Sequence, residues 1–410
     1  MAAARTFGVG PDGGAPVGEF GFLPMEKVRF GPGSLVDLAA EVDRLGAKRV
    51  LLVTGTTLAT KTDLVEKVSD VLGPRLAGVF SDTRQHVPRS TVVAAAAAAR
   101  EAGADCLVSF GGGSPIDTTK LAALLLAAGV ADEAGMDALH FREVDGEVEV
   151  PDLPDVTVPH IAISTTLSAG EFTLWGGSTD TARGVKDAYG APGMTPRTVI
   201  LDPELARATP PTLWGSTGLK ALDHAVETVS SSKPQPFADA LALRAIEMLT
   251  KTLVPGTNDP DDLVSRGVSQ VGAWMSIMSL PNVPAGLSHA LGHQLGAHCD
   301  VPHGVTSCII LPRVMDFNRP AVGPRLRLIA EAMGIDVAGM DDEAAGAAAA
   351  DRLREIVADL GVETRLREWG VTDDDLKAIA HDSTEDFMAL TNPRKVESAD
   401  EILEILRSAY

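Results

Sequence analysis

The chain changes its hydrophobic rhythm near its midpoint. Through the first half, short β-branched runs alternate with longer stretches of helical spacing. "VRFGPGSL" reads as a strand and a glycine turn, and "SLVDLAAEVDRLG" as a helix that a glycine stops. "KRVLLVTG" is a strand ending at Gly55, "TLATKTDLVEKVSDVLG" a helix and "LAGVFSD" a strand. "STVVAAAAAAREAGA" is a helix for which Ser90 is the expected N-cap. "DCLVSFGGGSPIDTTKLAALLLAAG" reads strand, glycine loop, helix, and "VTVPHIAISTT" and "RTVILDP" add strands. Strands alternating with helices predict a mostly parallel sheet joined by crossover helices.

From "DPELARATPPTLW" onward the β-rich runs nearly vanish. "PFADALALRAIEMLTKTLV" has amphipathic helical spacing, "GAWMSIMS" and "GLSHALGHQLGAH" read as buried helices, and the remainder is helical to the end. The expected fold class is therefore an α/β N-terminal domain with a mostly parallel sheet, residues 1–202, followed by an all-α C-terminal domain, residues 203–410. The acidic "VDGEVEVPDLPD" between them reads as a surface hairpin or loop.

Composition narrows the class of partner. The 410 residues carry a formal net charge of −21, which argues against nucleic acid and anionic membrane surfaces. Cys106, Cys299 and Cys308 form no CxxC pair and read as reduced, buried thiols. The start, "MAAARTFGVGPDGG", lacks the apolar core of a signal peptide and reads as a flexible lead-in. No apolar run reaches the ~20 residues that span a bilayer. A cytoplasmic protein acting on a small-molecule substrate is expected.

Three stretches carry candidate chemistry in the first half. In "SFGGGSPIDTTK", Gly111, Gly112 and Gly113 sit between a strand and a helix, where backbone amides and Ser114 can receive a phosphate. Asp117 falls in the first helical turn, where it can cap the helix or touch a cofactor. In "AISTTLSAGEFT", the strand ends in Ser164, Thr165, Thr166 and Ser168, hydroxyls suited to a ribose, pyrophosphate or nicotinamide. In "VLLVTGTTLAT", the strand ends in Gly55, Thr56 and Thr57, where a carboxylate would select NAD over NADP. With none there, NADP is not repelled, and the α/β domain is expected to bind a dinucleotide.

The second half carries histidines at site-like spacing. His289 and His293 are four apart and share a helix face. His303 follows in "PHG", and His224 lies on an earlier helix four residues after Lys220. His86, His140, His160, His298 and His381 show no such pairing.

The ordered motifs "GGGSPID", "STTLSAGEFT", "VILDPEL", "GLKALDHAVE", "HALGH" and "VPHGVTSCIILP" resemble the iron-type, or group III, alcohol dehydrogenases over nearly the whole chain. "HVP" at His86–Pro88 and "LWGGSTDTARGVKDAYG" resemble the maleylacetate reductase branch in particular. The resemblance implies NAD(P)H as cofactor, a pyrophosphate loop at Gly111–Ser114, a hydroxyl loop at Thr165, Thr166 and Ser168, and a homodimer. It places the family's metal ligands, an Asp and three histidines, at Lys220, His224, His289 and His303, and a further pocket histidine at His293.

Lys220 departs from that pattern. A protonated ammonium offers a metal no lone pair. Asp223 lies about 60° round the helix from Lys220, poorly turned to substitute as ligand. The expectation is that no metal binds and that Lys220 supplies the cation, with His224, His289 and His303 kept as ligands if one does. A dicarboxylate substrate such as maleylacetate needs cationic anchors, for which Lys186 and Arg183 are the candidates beside Lys220. Two alternatives stand: an iron- or zinc-dependent alcohol dehydrogenase or aldehyde reductase, and a non-redox lyase of dehydroquinate-synthase type.

Overall fold

The computed structural model describes residues 18–144 and 147–410. The expected lead-in at the start of the chain lies outside the described residues. Backbone contacts divide the chain into a sheet unit, residues 22–209, and a helical unit, residues 210–410 joined by residues 18–21.

The sheet unit runs β1 (Lys27–Phe30), α1 (Leu38–Arg44), β2 (Val50–Gly55), α2 (Thr56–Lys61), α3 (Leu64–Leu72), β3 (Leu76–Thr83), α4 (Arg89–Ala102), β4 (Cys106–Gly111) and α5 (Gly113–Ala128). It continues with β5 (Arg142–Val144), β6 (Glu147–Glu149), β7 (His160–Ser164), β8 (Trp175–Asp180), β9 (Val185–Gly190), β10 (Thr198–Leu201) and α6 (Pro203–Ala206). Six strands form one parallel sheet in the order β1-β10-β7-β4-β2-β3. The period-2 alternation of a strand sends Leu51, Val53 and Leu107 to one face, where they meet Val92 and Ala95 of α4 and Leu121 and Leu125 of α5. Leu52, Val108 and Phe110 go to the other, against Leu38 and Val42 of α1 and Val68 and Leu72 of α3. Burial on both faces is why these strands read as unbroken apolar runs.

Two local expectations change. α4 starts at Arg89 rather than after a Ser90 cap: Pro88 precedes the helix, and its carbonyl takes the amides of Thr91 (2.9 Å) and Val92 (3.3 Å). Residues 203–209 belong to the sheet unit. The Asp202 carboxylate caps α6 and also accepts the amides of Gly33 (3.1 Å) and Leu35 (3.0 Å), which ties that turn to the end of β1. "LWGGSTDTARGVKDAYG" folds into the antiparallel hairpin β8–β9, and the acidic stretch into the hairpin β5–β6.

The helical unit contains α7 (Pro211–Ser230), α8 (Pro236–Asn258), α9 (Leu263–Ile277), α10 (Leu287–Cys299), α11 (His303–Ala332, kinked at Val322), α12 (Asp342–Asp359), α13 (Asp373–Asp382), α14 (Phe387–Leu390) and α15 (Ala399–Arg407). No strand occurs among its described residues. α7 packs against α8, α9 and α11 and is buried almost continuously from Trp214 to Ser230. Gly304 lets α11 close on α7: a Cβ there would stand 2.7 Å from the Ser216 carbonyl. No helix among the described residues is long and apolar enough to cross a membrane.

Candidate active site

In the sheet unit, the glycine loop and the hydroxyl loop come together at the carboxyl ends of β4 and β7. β4 pairs with β7 as far as Gly111 and Ser164, and the Thr165 amide bonds the Gly111 carbonyl at 2.9 Å. A Cβ on Gly112 would meet Thr166 Cγ2 at 2.9 Å, and one on Gly113 would meet Ser168 Oγ at 3.7 Å. The hydroxyls of Thr166 and Ser168 bond each other at 3.2 Å, while Thr165 is buried with its carbonyl accepting from Thr209. The first turn of α5, Gly113–Ser114 onward, has no side-chain cap, so its amides remain available to an anion. Gly55 and Thr56 adjoin this loop, since Thr54 Oγ1 donates to the Phe110 carbonyl at 2.8 Å. The Thr56 hydroxyl is engaged by the Ser81 carbonyl.

Asp117 points towards the β8–β9 hairpin, and its Oδ2 accepts the Gly177 amide at 3.2 Å. Burial pushes its carboxyl up, against the pull of Lys120 and Lys186. Lys186 lies across Gly177, with its Cε 2.5 Å from where a Cβ would stand, and is exposed. Arg183 does not sit as an open anchor. It donates to Asp180 Oδ2 (2.6 Å) and Asp187 Oδ2 (2.5 Å) beside the buried Arg89, which pairs with Asp137, Asp180 and Asp187. Its charge is shared with Asp180 and Asp187 within this knot, while its side chain stays partly exposed.

In the helical unit, α7 presents Lys220, Asp223, His224 and Glu227 from successive positions, all buried. Lys220 Nζ donates to Asp223 Oδ2 at 3.3 Å, and Ser307 Oγ on α11 donates to the same oxygen at 2.6 Å. Glu227 accepts the Gly286 (2.8 Å) and Ser288 (2.7 Å) amides at the start of α10, and its Oε2 takes His289 Nδ1–H at 2.5 Å. That bond holds the His289 ring and makes Nε2 the lone-pair end of its neutral form. The His224 and His289 rings stack at 5.2 Å. His293 and His303 form a second stack at 5.0 Å and are exposed. Burial, then the charges of Lys220 and His289, hold His224 well below the usual histidine range. Burial alone would raise Asp223, but Lys220, His289 and Ser307 outweigh it and hold it below the usual carboxylate range.

Residues 25–203 match the family pattern "Iron-containing alcohol dehydrogenase", and residues 215–410 match "Fe-containing alcohol dehydrogenase family, C-terminal". Lactaldehyde reductase of Escherichia coli K12 is 32% identical over 94% of this chain and 98% of its own. The chain belongs to the iron-containing alcohol dehydrogenase family. It is an oxidoreductase. Maleylacetate reductase 2 of Cupriavidus pinatubonensis is also 32% identical, over 95% of each chain. The crystal structure of maleylacetate reductase from Rhizobium sp. strain MTP-10005 superposes with a TM-score of 0.77 at 30% identity, covering 96% of this chain and 97% of that one. Equal identity to a lactaldehyde reductase and a maleylacetate reductase establishes the family and leaves the substrate to the site.

The family's name raises the question of metal. His224 Nδ1, His289 Nε2 and Asp223 Oδ1 are buried without a hydrogen-bond partner, as lone pairs awaiting a cation would be. Against that, Lys220 places an ammonium where the resemblance expects a carboxylate, and His303 is exposed, stacked on His293. The group of three ligand residues within 4.8 Å among the described residues is Asp223, Glu227 and His289, not His224, His289 and His303. Its members are already bonded elsewhere: Glu227 to two amides and His289, Asp223 to Lys220 and Ser307. The donor set does not fit a divalent metal beside a fixed ammonium.

Sequence reasoning passed over Glu227 and Ser307. Glu227 lies three residues after His224 on the same helix face, a signal that could have found it. Ser307 had none, because its partner is 84 residues away.

Proposed function

We propose that this enzyme is an NAD(P)H-dependent reductase of maleylacetate or a related oxo- or enoyl-carboxylate, and that it works without a metal. The observation that carries this reading is Lys220, a buried ammonium with one protein acceptor, beside two buried histidines that each keep an unpartnered ring nitrogen. In the sheet unit, Gly111, Gly112, Gly113 and Ser114 receive the pyrophosphate. Thr165, Thr166 and Ser168 line the nicotinamide side, Gly55 and Thr56 the adenosine side, and Asp117 acts by holding the hairpin. Lys186, exposed on that hairpin, anchors a substrate carboxylate.

Bound NAD(P)H would supply a hydride, which the β-carbon of the conjugated double bond would accept. The electron pair moves onto the carbonyl oxygen, and a proton then reaches the α-carbon. Lys220 stabilises the developing oxyanion as a preorganised cation. His224 and His289 shape its surroundings, and His293 and His303, being exposed, serve proton exchange.

The test follows NAD(P)H oxidation by the purified protein before and after dialysis against a chelator. Turnover of maleylacetate that survives chelation is expected. Loss on chelation, restored by iron or zinc, would favour the metal-dependent alcohol dehydrogenase reading, which the unpartnered ring nitrogens of His224 and His289 support. No NAD(P)H consumption with any carbonyl substrate would turn the reading to the lyase.

A further inference from the structure

We propose that Asp223 and Ser307 are positioning residues that aim the Lys220 ammonium, so that the reactive cation is a three-residue assembly built from α7 and α11. This rests on the reading of Lys220 as the group that acts on substrate. Lysine has a flexible four-carbon stem, and an ammonium that stabilises a transition state must be fixed before the reaction. Asp223 Oδ2 is its acceptor at 3.3 Å. Ser307 Oγ locks that same oxygen from the neighbouring helix at 2.6 Å. The other nearby carboxylate, Glu227, is committed to the Gly286 and Ser288 amides and to His289. Asp223 is thus the counter-ion that sets where the ammonium points.

The arrangement is poorly explained as packing. Asp223 is fully buried, yet its Oδ1 has no partner. A buried ion pair stabilises a fold only when its remaining donors and acceptors are satisfied, and an apolar pair of similar volume does as well or better. Here one carboxylate oxygen and two ammonium protons stay open. Such a half-filled shell is coherent when a ligand completes it and Asp223 sets the orientation in which the ligand is met.

The experiment uses the full chain. Asp223→Asn is compared with wild type for kcat, for cofactor affinity by NAD(P)H fluorescence, and for thermal melting. Expected is a fall in kcat of at least about tenfold with cofactor affinity unchanged. Wild-type kcat in this variant overturns the proposal. If melting shows that Asp223→Asn does not fold, Ser307→Ala carries the same comparison. A fall in kcat of about threefold or more supports the role, and wild-type turnover overturns it. A second readout is rescue of Lys220→Ala by methylammonium. Expected is recovery of at least about tenfold with Asp223 present and none in Lys220→Ala/Asp223→Asn. Equal rescue in both backgrounds removes the positioning role while leaving Lys220 essential. Wild-type turnover by Lys220→Ala removes the underlying reading instead.

Discussion

Each unit buries a lysine, and the two are used in opposite ways. Lys120 on α5 is fully enclosed, and its ammonium donates to the carbonyls of Gly170 (2.6 Å), Thr173 (2.7 Å) and Trp175 (2.8 Å) and to Thr173 Oγ1 (3.1 Å). Burial still pulls it down to about 8, against the nearby Asp117 and Glu171. Lys220 on α7 is almost as enclosed, yet has Asp223 as its hydrogen-bond partner. An ammonium has three protons to give. Lys120 has spent all of them and rivets a loop. Lys220 keeps two, and the polar atoms around it are open as well. Burial alone does not mark a functional group; burial with unspent bonding capacity does.

The comparison predicts its largest effect at Lys220. Lys220→Ala is expected to lower kcat by about a thousandfold, the scale seen when a preorganised oxyanion stabiliser is removed. The melting temperature should fall as well, because the buried Asp223 carboxylate loses its counter-ion, so kcat is compared per folded enzyme. Steady-state kinetics beside a thermal melt decide the matter. Unchanged turnover would make Lys220 a second rivet and end the contrast. In the same preparations, Lys220→Asp should take up metal that the wild type does not.

Lys120→Met should reverse the pattern. Four acceptors lose their donor within the sheet unit, at a cost of about 3 kcal/mol in stability. Turnover of the remaining folded enzyme should stay within about threefold of wild type. Urea denaturation followed by tryptophan fluorescence measures the first, and kcat the second. A stable Lys120→Met protein with lost turnover would show that the saturated lysine also serves the chemistry.

The same distinction explains how far the sequence could be read. Hydrophobic period and glycine punctuation are local, so the parallel sheet, the glycine loop and the helical second half were legible. Lys220 and His224 were legible because four residues make one helix turn. What decides their roles is not local. The bond from His289 to Glu227 spans 62 residues, and that from Ser307 to Asp223 spans 84. Arg183 reads as a free cation in sequence because Asp180 and Asp187 become its partners only when the β8–β9 hairpin forms. Ser90 reads as a cap because nothing local announces that Arg89 is drawn into a buried knot with Asp187.

The sheet unit holds a smaller open group, and it sharpens the comparison at least expense to the fold. Thr83 Oγ1 is buried without a partner and lies 3.4 Å from where a Cβ on Gly55 would stand. Gly55 ends β2 with φ −96°, a backbone that any residue can adopt. Aspartate therefore enters there without strain. A carboxylate at this strand end would accept the adenosine ribose hydroxyls and repel a 2′-phosphate. Under the proposed cofactor reading, the wild type carries no carboxylate at this strand end to repel the 2′-phosphate of NADPH. Gly55→Asp should then lower the NADPH-to-NADH ratio of kcat/KM by about tenfold, some ~1.4 kcal/mol. The neighbouring Asp82 does not pre-empt the effect, since its carboxylate faces Arg84 at 2.9 Å. A ratio that does not move would mean that the adenosine ribose lies away from Gly55. Thr83 would then be an unsatisfied hydroxyl with no ligand to meet, and open bonding capacity would mark a site only where, as at Lys220, a charge accompanies it.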